Sequence, residues 1–86
     1  MLETIDVVEM FKQAAFEVDH RRLPDLKGDT VIATLGMDSV AVMELVSYFE
    51  EKLEVRIPDE ELSRIRTVKD LRDAIAKLLP DRQFAA

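Results

Sequence analysis

Eighty-six residues with a net charge of −6 make one small domain, which buries only about 60% of its unfolded surface and has room for a core but not for a large internal active site. The absence of cysteine excludes a disulfide framework, a thiolate nucleophile and a zinc–thiolate centre, so any thiol chemistry must arrive on another group. No apolar run approaches the roughly 18 residues of a membrane span, and the N-terminus lacks the basic and apolar segments of a secretory leader, which points to the cytoplasm.

The first predicted helix runs from Leu2 or Thr4 to Val18, with Val7, Val8, Phe11, Ala14, Ala15 and Val18 at helical spacing. Periodicity then fails from Asp19 to Met37, where His20, Arg21, Arg22, Pro24, Gly28 and Asp29 read as loop. A connection of that length in so small a domain usually has a function. Val31, Ile32 and Leu35 are expected to pin its second half to the core, with Gly36 supplying a tight turn. The second helix is expected over Ser39 to Leu53, with Val42, Leu45, Val46, Phe49 and Leu53 facing inward. Pro58 forces Ile57 out of the helical region, Asp59 to Arg64 suffices only for a short helix, and Thr67-x-x-Asp70 is a capping-box-like pair opening the last helix. Pro80 stops it. The expected fold is all-α: a four-helix bundle over residues 1–80, three long helices and one short, with a long loop between helices 1 and 2 and a flexible tail at 81–86.

Chemistry concentrates where the loop meets the second helix, in Leu35-Gly36-Met37-Asp38-Ser39-Val40. Asp38 is a good N-cap, because its carboxylate can accept from free amides of the first turn and suits the helix dipole. Ser39 then occupies the first helical position, where a phosphate esterified to its hydroxyl would lie beside unpaired N–H groups. That arrangement suggests attachment, not catalysis. Between positions 38 and 61 there are eight acids and two bases, whereas the other ten acids and ten bases cancel, so the whole imbalance sits on the segment that begins at Ser39. Such a field repels nucleic acid and anionic membrane surfaces and steers basic protein surfaces toward this helix, although a solvated acidic face kept for solubility is the plainer alternative. Val40, Met43 and Ser47 lie on an outer face with Glu44, Glu50 and Glu51, leaving a small apolar patch edged by carboxylates.

No catalytic residue is expected. The only histidine, His20, sits in a polar loop among Arg21 and Arg22, and the chain has no second imidazole and no thiol to build a nucleophilic site with Ser39. No metal site is expected either, since Asp59-Glu60-Glu61 lacks the alternating ligands and glycine of a calcium loop. A phosphate-cradling glycine loop and a dinucleotide fingerprint are both missing.

The array from Leu35 to Ile75, with Asp38-Ser39, the helix closed by Glu50-Glu51, Ile57-Pro58-Asp59-Glu60-Glu61 and Thr67-Val68-Lys69-Asp70-Leu71, resembles the acyl carrier protein family. The resemblance implies that Ser39, beside Asp38, carries a covalent 4′-phosphopantetheine donated from coenzyme A by a phosphopantetheinyl transferase. Its thiol would hold acyl thioesters for fatty-acid, polyketide or related biosynthesis. It also implies that Val40, Met43, Glu44, Ser47, Glu50 and Glu51 face acyl-loading and acyl-processing enzymes with basic docking surfaces, and that the protein is a monomer and no enzyme. By the same analogy a cargo pocket would be lined by Val31, Ile32, Phe49, Ile57, Ile65 and Leu71; the bulk of Phe49 and Leu71 leads us to expect it to be shallow and the cargo short or polar. Departures from the common fatty-acid pattern, Val40, Thr34, Ala41 and Lys52, suggest a less acidic partner face and a specialised carrier. An aminoacyl or peptidyl carrier and an unmodified acidic helical adaptor are the alternatives.

Overall fold

The computed structural model describes residues 4–85. Its helices are α1 (Val7–Asp19), α2 (Ser39–Leu53), the single-turn α3 (Asp59–Leu62) and α4 (Val68–Leu78). Two three-residue strands, β1 (Thr4–Asp6) and β2 (Gln83–Ala85), accompany them, and a 3-10 turn spans Ile32–Leu35 in the long loop. The all-α bundle of three long helices and one short is as expected, with the strands a minor addition.

The core is built from one stripe of each long helix. From α1 come Val7, Phe11, Ala14 and Ala15, from α2 Ala41, Leu45 and Phe49, and from α4 Val68, Leu71, Ala74 and Ile75, all buried. The fully buried rings of Phe11 and Phe49 meet with centroids 6.3 Å apart and planes tilted by 57°. Each fully buried side chain of this size contributes about 1.5–3 kcal/mol relative to exposure. Ile5 from β1, Leu26 from the loop and Ile57 from the α2–α3 link complete the cluster. Leu26 was not among the expected loop anchors, and Val31, which was, is 43% exposed; the loop is held there by main chain, through an antiparallel bridge between Val31 and Thr67 and donation from Ile32 N to the Arg66 carbonyl at 2.8 Å. Ile32 and Leu35 do pack against the core.

Helix ends follow local chemistry. Asp6 caps α1 by accepting from the Glu9 amide at 3.1 Å, so the helix begins at Val7 instead of Thr4; Leu2, the other expected start, lies outside the described residues. At α4 the capping box forms in full: Thr67 Oγ1 accepts from Asp70 N at 3.1 Å, and Asp70 Oδ2 accepts from Thr67 N and Arg66 N, both at 3.0 Å. These two backbone donors hold the Asp70 carboxyl below its ordinary pKa. α2 closes with Glu54 in the left-handed region at φ 55°.

The segment beyond Pro80, read from sequence as a flexible tail, contains β2. Thr4, Ile5 and Asp6 pair in parallel with Gln83, Phe84 and Ala85, Ile5 is buried, and Phe84 packs against the core. Ala86 is outside the described residues. Three-residue strands are too short to show a period of two, which is why neither was legible.

Candidate functional site

Three local features deliver Ser39. The 3-10 turn ends at Gly36, whose φ of 77° lies in the left-handed region open to glycine. Asp38 then stops the incoming chain in an extended conformation and accepts from the Ala41 amide through Oδ1 at 2.7 Å, while its carbonyl accepts from Val42 N at 3.0 Å. Ser39 is the first helical residue, solvent-exposed, and the amides of Ser39 and Val40 have no protein acceptor among the described residues. A 15-residue helix aligns its dipole on this end.

Of the six outer-face residues, five are exposed as expected. Val40 and Met43 are 61% and 69% exposed, and Glu44, Ser47 and Glu51 stand beside them. With Val18 and Tyr48, all five line a shallow concavity of about 480 Å³. Glu50 differs. It is half-buried, and its Oε2 accepts from the Ile57 amide at 2.7 Å, so it braces the α2–α3 link instead of projecting outward. Ala41 is buried and therefore has no part in the charge of this face.

On the other side of Ser39 an apolar cavity of about 820 Å³ opens between α2, the 3-10 turn, α3 and α4. Val31, Ile32, Ile65 and Leu71 line it as expected, together with Met37, Val42, Val46 and Leu62. Ser39, Ser47, Glu50 and Arg66 are its polar lining. Phe49 and Ile57 do not line it. Phe49 turns toward Phe11, and Ile57 is taken up by the core. Of the two bulky side chains expected to fill this space, Phe49 points away from it while Leu71 lines it, and the volume falls in the roughly 300–1,000 Å³ range of small-molecule sites.

The chain also matches known proteins. The model of the phosphopantetheine attachment site family aligns with residues 9–75, most of the chain. A crystal structure of an acyl carrier protein from Thermotoga maritima superposes with a TM-score of 0.79 at 37% sequence identity, covering 87% of this chain and 88% of that one. The protein belongs to the acyl carrier protein family. Acyl carrier proteins from Syntrophobacter fumaroxidans (53% identical over 47 residues, 55% of this chain and 58% of that one) and Campylobacter concisus (46% over 48 residues, 56% and 62%) agree. The matched segment thus spans about three-fifths of each of these relatives.

The matched family is defined by a phosphopantetheine attachment site, which implies a covalent 4′-phosphopantetheine. This carrier's residues fit such a group: an exposed hydroxyl stands at a capped helix N-terminus with free amides, on the mouth of an apolar cavity. His20 is remote from any such role; it caps α1 at φ 52° and meets the Phe16 ring edge-on at 5.9 Å. Among the described residues no cluster of potential metal ligands exists, and Glu61 of the acidic run instead faces Lys77 at 3.5 Å. No helix of the described residues is long and apolar enough to cross a membrane. Sequence reasoning missed Val42 as a cavity residue, although Val42 and Val46 sit one position after the buried pair Ala41 and Leu45 and so define an adjoining stripe. It also missed Arg21, whose guanidinium reaches Gly36 from fifteen residues away.

Proposed function

We propose that Ser39 is the attachment residue and that the carrier shelters an acyl chain in the cavity beside it. The observation that carries this reading is the position of the Ser39 hydroxyl, exposed at the amide end of α2 and at the mouth of the 820 Å³ apolar cavity. In the loading step a partner transferase removes the Ser39 proton, the oxygen attacks the pyrophosphate of coenzyme A, a phosphodiester forms, and adenosine 3′,5′-bisphosphate leaves. Asp38 holds the helix end rigid while this happens. The bound group supplies the thiol that the cysteine-free chain lacks.

Val40, Met43, Glu44, Ser47 and Glu51 form the face offered to the transferase and to acyl-processing enzymes. Their apolar centre and carboxylate edge suit basic surfaces with an apolar contact. An aliphatic acyl cargo is favoured over an aminoacyl one because the cavity lining is dominated by Val, Ile, Leu and Met. A specialised synthase in fatty-acid, polyketide or related biosynthesis is the favoured client, since Val40 and Lys52 alter the partner face, with Lys52 Nζ 5.4 Å above the Tyr48 ring. Incubation with coenzyme A and a phosphopantetheinyl transferase, followed by mass spectrometry, tests the assignment: the adduct is expected on Ser39 and lost in Ser39→Ala. An adduct that survives in that variant would move the attachment to another residue, and none on the wild type would leave the unmodified adaptor.

A further inference from the structure

Arg21 follows the residue that ends α1. His20, at φ 52°, turns the chain back, and the amides of His20 and Arg21 donate to the carbonyls of Phe16 at 2.9 Å and Ala15 at 3.3 Å. The backbone of Arg21 is thereby fixed to the end of α1. Its side chain is fixed as well, because Nε donates to Asp19 Oδ2 at 2.7 Å. The remaining arm of the fork, Nη2, donates to the Gly36 carbonyl at 2.9 Å. A Cβ built on Gly36 would lie 3.4 Å from Nη1, so the guanidinium rests directly against the glycine backbone.

Gly36 stands three residues before Ser39. The chain before it is secured to the start of α4 by the Val31–Thr67 bridge and by donation from Ile32 N to Arg66 O. Asp38, after it, is secured to α2 by its cap. Arg21 therefore ties the intervening turn to α1, and a planar five-donor fork can span Asp19 and Gly36 together where a lysine ammonium cannot hold both in one geometry.

We infer that Arg21, oriented by Asp19, is a positioning residue for the modification of Ser39: by holding the Gly36 carbonyl it sets how the Asp38–Ser39 step is presented to the transferase. This rests on Ser39 being the attachment residue. Among the described residues the Arg21 side chain bonds only to Asp19 and Gly36, neither of them on the outer face of α2, so its loss should leave docking intact and slow only the bond-forming step.

Steady-state loading by a phosphopantetheinyl transferase, with the full-length apo carrier as the varied substrate, tests this. Arg21→Ala should lower kcat roughly five- to tenfold, since misplaced reacting groups lose rate steeply, with KM for the carrier within about twofold and thermal unfolding little changed, as expected for an exposed side chain. Arg21→Lys should not restore kcat. Asp19→Ala, which leaves the fork unanchored, should give a smaller loss in the same direction. Wild-type kcat in Arg21→Ala, full rescue by lysine, or a loss confined to KM would each overturn the inference. Amide hydrogen exchange gives a readout independent of loading: the Ala41 and Val42 amides, which donate to Asp38, should exchange roughly tenfold faster in Arg21→Ala as the turn opens locally. Unchanged exchange refutes the tether even if Ser39 proves not to be the modified residue, whereas failure of wild-type loading with faster exchange in the variant would sink the attachment reading and, with it, the role of Arg21 in loading.

Discussion

Glu50 and Ile57 are joined across the α2–α3 link, with the Glu50 carboxylate accepting from the Ile57 amide at 2.7 Å. The Glu50 carbonyl meanwhile accepts from the amides of Glu54 and Val55, at 3.0 Å for Val55. One residue thus closes α2 and anchors the chain that follows, with Ile57 buried in the core. A charge-assisted bond of this kind contributes about 1.5–3 kcal/mol, and Glu50→Ala should lower stability by about 1–2 kcal/mol after partial solvation of the freed amide. Denaturant titration checks this; an unchanged midpoint would return Glu50 to the outer face.

Glu44 and Glu51 should behave oppositely. Both are exposed and bonded to nothing among the described residues, so Glu44→Lys with Glu51→Lys should move the unfolding free energy by less than about 1 kcal/mol while slowing transferase loading at low salt. The defect should shrink as salt screens the encounter. Stopped-flow loading rates at two ionic strengths decide the matter, and equal rates at low salt would remove these residues from the docking face.

The capping box on α4 predicts a pH dependence. Asp70 has a lowered pKa because backbone amides of Arg66 and Thr67 donate to its charged form. A depressed folded-state pKa means stability that is fully present above the unfolded value of about 3.9 and lost as pH falls through the folded value. Asp70→Asn should therefore flatten the stability curve in that acidic window and be least harmful at its low end. Thr67→Ala should cost about 1 kcal/mol at neutral pH. Thermal unfolding from pH 7 to pH 3 measures both.

Ordering of β2 has a direct test. Phe84 packs on the core and pairs opposite Ile5, so Phe84→Ala should cost about 1–2 kcal/mol, part of the value for a fully buried aromatic. A truly frayed tail would show no change. Equilibrium denaturation of this variant is sufficient.

Cargo depth follows from the cavity. With short and long acyl groups loaded in turn, backbone amide shifts at Val46, Ile65 and Leu71 should grow with chain length, while Phe49, turned toward Phe11, should move least. Shifts confined to Asp38 through Met43 for every length would show that the cavity stays closed to cargo. Val46→Phe should suppress the length dependence by filling the lining.

Much of the site was legible from residue chemistry alone. Asp38 as a cap, Ser39 at the first helical position, Thr67 with Asp70, and the full span of α2 follow from short-range hydrogen bonding and a period of 3.6, both local properties of a chain. Composition and charge placement likewise confined the acidic face to the segment from Asp38 onward. Only tertiary structure decided the rest. Which of two neighbouring stripes on α2 meets α1 and which meets the cavity depends on the rotation of the helix in the bundle, so Ala41 went inward and Val42 toward the cleft. The Glu50–Ile57 bond, the Arg21–Gly36 bond and the β1–β2 pairing join residues 7, 15 and 79 positions apart. None of these pairings leaves a mark in local periodicity, and each exists only once the packed helices have brought its two segments together.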